Sequence, residues 1–223
     1  MYFTLIRLRR NVSARDVALL GKKDGYQSHR LVWNFFADCR DRRRDFLYRH
    51  ETVNGQPTFY TVSEREPWDD TGLWEIISKP YTPKLVVGQP LAFTLRVNPI
   101  RSKRDEQGRQ HRHDVVMDAK INLGQQDGMT KDSDIQEILQ REGAAWLDPR
   151  AGRYGFSFTR QKLRVEGYQQ HSFCGKEGRI SFSTLDLDGV LRVADTEMFI
   201  SALYHGIGPA KGFGCGLMMV RRL

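Results

Sequence analysis

Twelve consecutive residues, His205-Gly206-Ile207-Gly208-Pro209-Ala210-Lys211-Gly212-Phe213-Gly214-Cys215-Gly216, constrain this chain more than any other stretch, because five of the last eleven are glycine. Backbone that rich in glycine turns tightly, enters conformations closed to other residues, and lets several N–H groups converge on one anion. The flanks decide what such a loop serves. Upstream, Asp195 is placed to cap a helix reaching Tyr204, in which Met198, Phe199, Ala202 and Leu203 recur at helical spacing. Downstream, residues 217–220 form a short apolar run suited to a buried strand. The order is therefore helix, loop, strand. Nucleotide phosphate loops run strand, loop, helix, and neither G-x-G-x-x-G nor G-x-x-x-x-G-K-[ST] is matched. This is not a nucleotide-cofactor loop.

The first hundred residues read as β-α-β-β with further strands. Residues 2–9 alternate, carry charges inside their apolar stretch and offer no cleavage site, which predicts a first strand and not a signal peptide. Ser28 is a candidate cap for a helix whose Leu31, Val32, Phe35 and Phe36 form a core-facing stripe. Asn54-Gly55, between strands at 45–48 and 58–62, is a hairpin turn. Strands at 74–78 and 91–97 complete this half; residues 67–70 read as a turn or a short helical piece, and no second helix is assigned. Residues 100–114 are polar and aperiodic, so 101–114 is expected to be a basic linker between an N-terminal domain (1–100) and a C-terminal one (115–223). Residues 115–119 read as an edge strand or an extended connection, and 123–133 as loop. A helix is predicted through Ile135, Ile138, Leu139, Ala144, Ala145, Trp146 and Leu147, then strands at 154–158, 161–168 and 179–187. β-α-β-β-α-β is the ferredoxin-like pattern and the order fits it twice. The expected fold is α+β, with tandem ferredoxin-like (RRM-like) domains.

Charge narrows the partner. There are 35 Lys and Arg against 27 Asp and Glu, and the excess is clustered. Residues 150–179 hold seven cations against Glu166 and Glu177; residues 101–113 hold five against Asp105 and Glu106. Two such patches predict a polyanion. Arg160, Lys162 and Arg164 alternate in a predicted strand and would project from one face about 6.7 Å apart, with Gln161, Leu163 and Val165 facing a core. That row suits a sugar–phosphate backbone, although a solvated sheet face has the same pattern. Tyr154, Phe156, Phe158 and Tyr168 lie near it; their alternation favours core over base stacking. His111-Arg112-His113 has H-x-H spacing with no third ligand beside it, so phosphate contact is favoured over metal. His205 reads as a cation at the end of the preceding helix. Cys39, Cys174 and Cys215 have no C-x-x-C spacing, which points to a reducing cytoplasm, and no run approaches the roughly 18 apolar residues of a membrane span.

Tyr26 and His29 stand at i and i+3 of the first predicted helix, one turn apart. RNA carries its own nucleophile, so a ribonuclease needs only to deprotonate the 2′-OH, protonate the leaving 5′-oxygen and neutralise the phosphorane. A histidine, a tyrosine and one or two cations suffice, yet an isolated histidine beside an apolar helix is more often a surface or satisfied core residue. A resemblance decides between them. The glycine loop resembles the signature of the RAMP superfamily of CRISPR proteins. With Tyr26-Gln27-Ser28-His29-Arg30, and with Lys79-Pro80-Tyr81-Thr82-Pro83 leading into Leu91-Ala92-Phe93-Thr94-Leu95-Arg96-Val97-Asn98-Pro99, it is similar to the CasE family. These are the endoribonucleases that process pre-crRNA in type I-E CRISPR systems.

The resemblance implies catalytic roles for Tyr26, His29 and Arg30, with acid and base unassigned between the first two. It implies a basic hairpin against the stem of the repeat; because residues 166–171 are less basic than that role expects, the weight falls on Arg160, Lys162, Arg164, Lys176 and Arg179. Gly206, Gly208, Lys211, Gly212 and Gly214 would contact RNA through the loop. The expected reaction is metal-independent and cofactor-free. It cuts at the 3′ base of the repeat stem, leaves a 2′,3′-cyclic phosphate and a 5′-hydroxyl, and keeps the crRNA within the Cascade complex. Repeat RNA and other Cascade subunits are the expected partners, with no membrane. The alternative is a non-catalytic RNA-binding RAMP subunit.

Overall fold

The computed structural model describes residues 1–13, 25–37, 44–105, 107–127, 132–175 and 178–223. Its first sheet holds β1 (Tyr2–Leu8), β2 (Phe46–Val53), β3 (Gln56–Ser63) and β4 (Trp74–Pro80) in the order β4-β1-β3-β2, all antiparallel. Helix α1 (Gly25–Asn34) lies between β1 and β2 in sequence. The β2–β3 hairpin turns on Asn54 and Gly55, both at positive φ (51° and 76°), as a two-residue turn matching the strand twist requires. No helix joins β3 to β4. Asp69 organises that connection instead, accepting from the Thr71 N–H at 3.0 Å and the Trp74 N–H at 2.9 Å. Ser28, a candidate cap, sits inside α1, which begins at Gly25.

The second sheet repeats the arrangement. It holds β5 (Pro90–Val97), β8 (Phe156–Gly175), β9 (Gly178–Val193) and β10 (Met218–Arg222) in the order β10-β5-β9-β8. Helices α2 (Val115–Asp127) and α3 (Asp132–Arg153) fill its first crossover and α4 (Thr196–His205) its second. Asp195 caps α4 as expected, accepting from the Met198 N–H at 2.9 Å. In sequence order both sheets run fourth, first, third, second strand, so the chain is a tandem of ferredoxin-like units.

Several expectations give way here. The strand at 91–97 is not the end of the first half; it pairs with β9 and β10 as the first strand of the second sheet. The passage between the sheets therefore falls between Pro80 and Pro90. Residues 101–114 are not a linker but part of a hairpin of β6 (Ile100–Arg104) and β7 (Gln110–Asp114), inserted after β5. Its strands are polar on both faces, which leaves no alternation to read. Residues 115–119 open α2, because the Asp114 carboxylate accepts from the N–H groups of Val116 and Met117 at 2.9 and 3.0 Å. The stretch 123–133 belongs mostly to α2 and α3, with 128–131 outside the described residues.

The strands expected at 154–158 and 161–168 are one long strand, β8, irregular between Phe158 and Leu163 and again between Glu166 and Gln169. A Cβ on Gly189 of β9 would lie 2.7 Å from the Lys162 carbonyl oxygen, so glycine there admits the first irregularity. The consequence is chemical. Arg160, Gln161 and Lys162 are all exposed, and alternation resumes only at buried Leu163 and exposed Arg164.

Each unit has its own core. Val32, Phe35 and Phe36 pack on Ile6, Phe46, Tyr48, Phe59 and Trp74 in the first. In the second, Ile138, Leu139, Ala144, Trp146 and Leu147 of α3 cover Leu95, Val165, Leu185 and Leu187. A third cluster joins the units, with Leu47 and Val62 of the first sheet buried against Leu217, and Tyr204 donating to the Tyr81 carbonyl at 2.8 Å.

Candidate active site

The glycine run folds into a clipped loop that reaches across from the second unit to the first. Where α4 ends, Gly206 takes φ 77° and ψ 160°. The loop closes where the Ile207 N–H donates to the Gly216 carbonyl at 2.9 Å, and it is tied to β5 where the Gly216 N–H donates to the Arg96 carbonyl at 2.7 Å. At its tip a single 3-10 turn, Lys211–Phe213, presents the Gly212 carbonyl. Two groups of the first unit meet that oxygen. His29 Nδ1 lies 2.5 Å from it, and the Tyr48 hydroxyl donates to it at 3.1 Å.

A carbonyl only accepts, so Nδ1 carries the hydrogen and the lone pair of the neutral ring falls on Nε2. Half-burial holds the His29 pKa below its ordinary value; the bond to Gly212 opposes that shift and the positive charge of Arg44 adds to it. The imidazole is thus kept neutral and in one tautomer near pH 7, the state a general base requires.

Two cations border this point. A Cβ built on Gly212 would lie 3.1 Å from Arg44 Nη1 and 3.7 Å from His29 Cε1, so guanidinium, imidazole and loop tip converge. Lys211 opens the same turn, and burial followed by repulsion from Arg44 lowers its pKa. Behind them an aromatic ladder runs through four rings, His29 to Phe213 (5.3 Å), Phe213 to Phe182 (5.0 Å) and Phe182 to His171 (4.8 Å). Its last three rings, Phe213, Phe182 and His171, form one side of a cleft of 560 Å³ between β2 and the β8–β9 hairpin. Under the cleft Arg96 forks onto Asp186 (2.9 and 2.8 Å) and donates to the His50 carbonyl at 2.9 Å, while buried Arg49 pairs with Glu51. These contacts fix β2 against β5 and β9. Cys215 is buried beside them and its thiol is pushed up to about 12, which makes it inert.

Of the residues expected to act, His29, Lys211 and Gly212 come together. Tyr26 lies one turn before His29 on α1, its side chain outside the described residues, and Arg30 is exposed. The loop glycines serve packing between elements. Gly206 is buried against Leu47, Gly208 faces Trp146, and Gly214 is buried against Tyr48. Arg160 pairs with Asp148, Arg164 with Glu166 at 2.6 Å, and Lys162 is exposed. Arg179 donates to Ser172 Oγ at 2.7 Å; Lys176 and Cys39 lie outside the described residues. His111 and His113 each face a carboxylate, Asp105 at 2.8 Å and Asp118 at 3.5 Å. Phe156 is core, and Tyr154, Phe158 and Tyr168 pack against it. His205 Nδ1 lies 2.9 Å from the Ser201 carbonyl, at the end of α4.

Arg44, Tyr48 and Phe213 were not legible as site residues. Arg44 ends the run Arg42-Arg43-Arg44, which has no period, and Tyr48 reads as an ordinary strand aromatic. Phe213, inside the glycine run, gave the one available signal: a large apolar side chain in a loop is there to touch something.

Two ferredoxin-like units that share one histidine-bearing cleft, closed by a glycine loop, define the class of protein. Residues 1–222 match the model of the family described as CRISPR associated protein. The chain is 32% identical over 216 residues to the CRISPR system Cascade subunit CasE of Escherichia coli K12, covering 93% of this chain and 96% of that one. It is 25% identical over 202 residues to the CRISPR-associated endoribonuclease Cse3 of Thermus thermophilus, covering 87% and 89%. Among solved structures it matches Cas6e of E. coli with a TM-score of 0.65 at 25% identity over the whole of both chains. It also shares the fold of Cse3 bound to a 19-nucleotide RNA, with a TM-score of 0.66 at 23% identity, covering 99% of this chain and all of that one. The chain belongs to the CasE family of CRISPR associated proteins.

Proposed function

We propose that this protein is a metal-independent endoribonuclease that binds the hairpin of its CRISPR repeat and cuts pre-crRNA at the 3′ base of the stem. The observation that carries the reading is the bond from His29 Nδ1–H to the Gly212 carbonyl, 183 residues away in sequence. It turns an ordinary helix histidine into one of fixed tautomer, with Nε2 directed to accept a proton. His29 and Tyr26 are the acid–base pair named by the family resemblance. One removes the proton of the 2′-OH, whose oxygen attacks the adjacent phosphorus. The other supplies a proton to the departing 5′-oxygen. The products are a 2′,3′-cyclic phosphate and a 5′-hydroxyl, and an internal nucleophile makes a metal-bound water unnecessary. A net charge of +8 suits a polyanionic substrate. The E. coli relative is named a Cascade subunit, and the same assembly is the proposed partner here. Among the described residues no helix is long and apolar enough to cross a membrane, and a cytoplasmic site of action is part of the same reading.

The test is incubation with the repeat RNA of its own genome in EDTA, with both new ends mapped. Cleavage in chelator with a cyclic phosphate is expected, and His29→Ala lowers the rate about 10²–10⁴-fold with RNA affinity retained. Activity lost in EDTA and restored by Mg²⁺ overturns the metal-independent route. A His29→Ala enzyme that cuts at the wild-type rate removes His29 from it. Tight binding without any cut favours the non-catalytic RNA-binding subunit.

A further inference from the structure

The family resemblance hands the cationic role to Arg30, but Arg30 is an exposed residue of α1. Arg44 and Lys211 are differently placed. Both are half-buried, one in the segment that leads into β2 and the other on the loop tip, and both border the turn whose carbonyl orients His29. Among the described residues neither has a carboxylate within ion-pair distance, whereas Arg7, Arg49, Arg65, Arg96, Arg160 and Arg164 each do. Burial disfavours both charges, and the positive charge of Arg44 further disfavours that of Lys211, an arrangement that a bound anion would relieve. An imidazole of fixed tautomer beside two such cations has the composition of a phosphate-transfer site. The neighbouring cleft, where Arg49 and Arg96 are balanced by Glu51 and Asp186, does not.

We propose that Arg44 and Lys211 bind the non-bridging oxygens of the scissile phosphodiester, with Arg44 as a catalytic residue of the cleavage reaction. The proposal rests on the endoribonuclease reading and assigns a part that reading leaves open. As the 2′-oxygen bonds to phosphorus and the bond to the 5′-oxygen breaks, one negative charge on the non-bridging oxygens grows toward two. No group other than hydrogen-bond donors and cations is required to hold it. Arg44 offers a planar fork matched to two phosphate oxygens, and Lys211 a compact charge at the loop tip.

The decisive measurement is a binding cycle that involves no cleavage. Repeat hairpins with a 2′-deoxy sugar at the cut are prepared with either a normal phosphodiester or a neutral methylphosphonate at the scissile position. Each is titrated against the wild type, Arg44→Ala, Arg44→Lys and Lys211→Ala. Removing the phosphate charge should weaken wild-type binding about tenfold, as for loss of one charge-assisted hydrogen bond. It should cost Arg44→Ala less than about threefold, because the partner is already gone. Arg44→Lys should keep part of the discrimination. In parallel, Arg44→Ala should cut a normal substrate about 10²–10³-fold more slowly, the usual effect of removing one donor to a developing oxyanion. Equal methylphosphonate penalties in wild type and Arg44→Ala overturn the proposal. Should Arg44→Ala melt early, Arg44→Gln and Arg44→Lys carry the same comparison. The cycle stays separate from the parent reading: if His29→Ala abolishes cutting while Arg44→Ala matches the wild type in both assays, only the phosphate assignment falls.

Discussion

A single methyl group at Gly206 would test how tightly the loop is bound to the first unit. At φ 77° and ψ 160° Gly206 occupies a region that is essentially reserved for glycine, and alanine there costs about 1–3 kcal/mol in backbone strain alone. The methyl would also lie 2.9 Å from both terminal carbons of Leu47 and 3.0 Å from the Gly216 carbonyl oxygen. Neither neighbour is free to yield. Leu47 is buried in the cluster between the units, and the Gly216 carbonyl already accepts from Ile207. Overpacking of this kind adds about 1–3 kcal/mol. A total of about 2–6 kcal/mol should lower the melting temperature of a chain this size by roughly 4–24 °C.

Two further glycines in α3 separate crowding from backbone effects. Gly152 has nothing within 4 Å of its absent Cβ, so Gly152→Ala should gain up to about 1 kcal/mol from helix propensity. Gly143 has the same propensity to gain, but its Cβ would sit 2.6 Å from Val165 Cγ1, and Gly143→Ala should lose stability. Thermal melting of the three variants, beside titration with an uncleavable repeat hairpin, is the assay. Gly206→Ala melting within about 2 °C of the wild type, less than 1 kcal/mol at this size, would refute the reasoning.

Replacing Arg160, Lys162 and Arg164 by Ala should flatten the dependence of log K on log salt, by about 0.9 for each phosphate no longer neutralised. Exposed Lys162 should contribute more than the two arginines held by Asp148 and Glu166, and an unchanged slope would return the row to a solvated face. Burial lowers the folded-state pKa of both His29 and His171. The unfolded chain therefore binds their protons first. Stability should be full above about pH 6.5, fall as pH drops below it, and level off once the folded-state values are passed. Melting curves from pH 7.5 to 5.5 should show a shallower decline for the His29→Gln, His171→Gln double variant; identical curves would contradict the assignment.

What was legible in the sequence was what local chemistry determines. The Asn54-Gly55 turn, the Asp195 cap, the apolar stripe of α1 and the order helix, glycine loop, strand each follow from interactions within a few residues. Sheet membership does not. Residues 91–97 have the alternation of any half-buried strand, and only pairing with β9 and β10 assigns them to the second unit. Polar hairpins are equally silent: β6 and β7 carry polar and charged residues on both faces, and so read as a linker. The strict alternation expected through Arg160, Lys162 and Arg164 is not kept, because β8 is irregular between Phe158 and Leu163. At the site, His29 could be chosen by residue type and resemblance, but the oxygen that orients it sits on a distant loop. Arg44, in an aperiodic run, announced itself only once both units were in place.

The same separation sets an order in time. The carbonyl that orients His29 is added to the chain 183 residues after it, which at 5–20 residues per second is a delay of roughly 10–40 s. Once Pro80 has been added the strands of the first sheet are all present, while the Gly212 carbonyl that receives the His29 Nδ1–H is still to come. The tautomer of His29 is thus fixed only near the end of synthesis, by a loop that the second unit contributes.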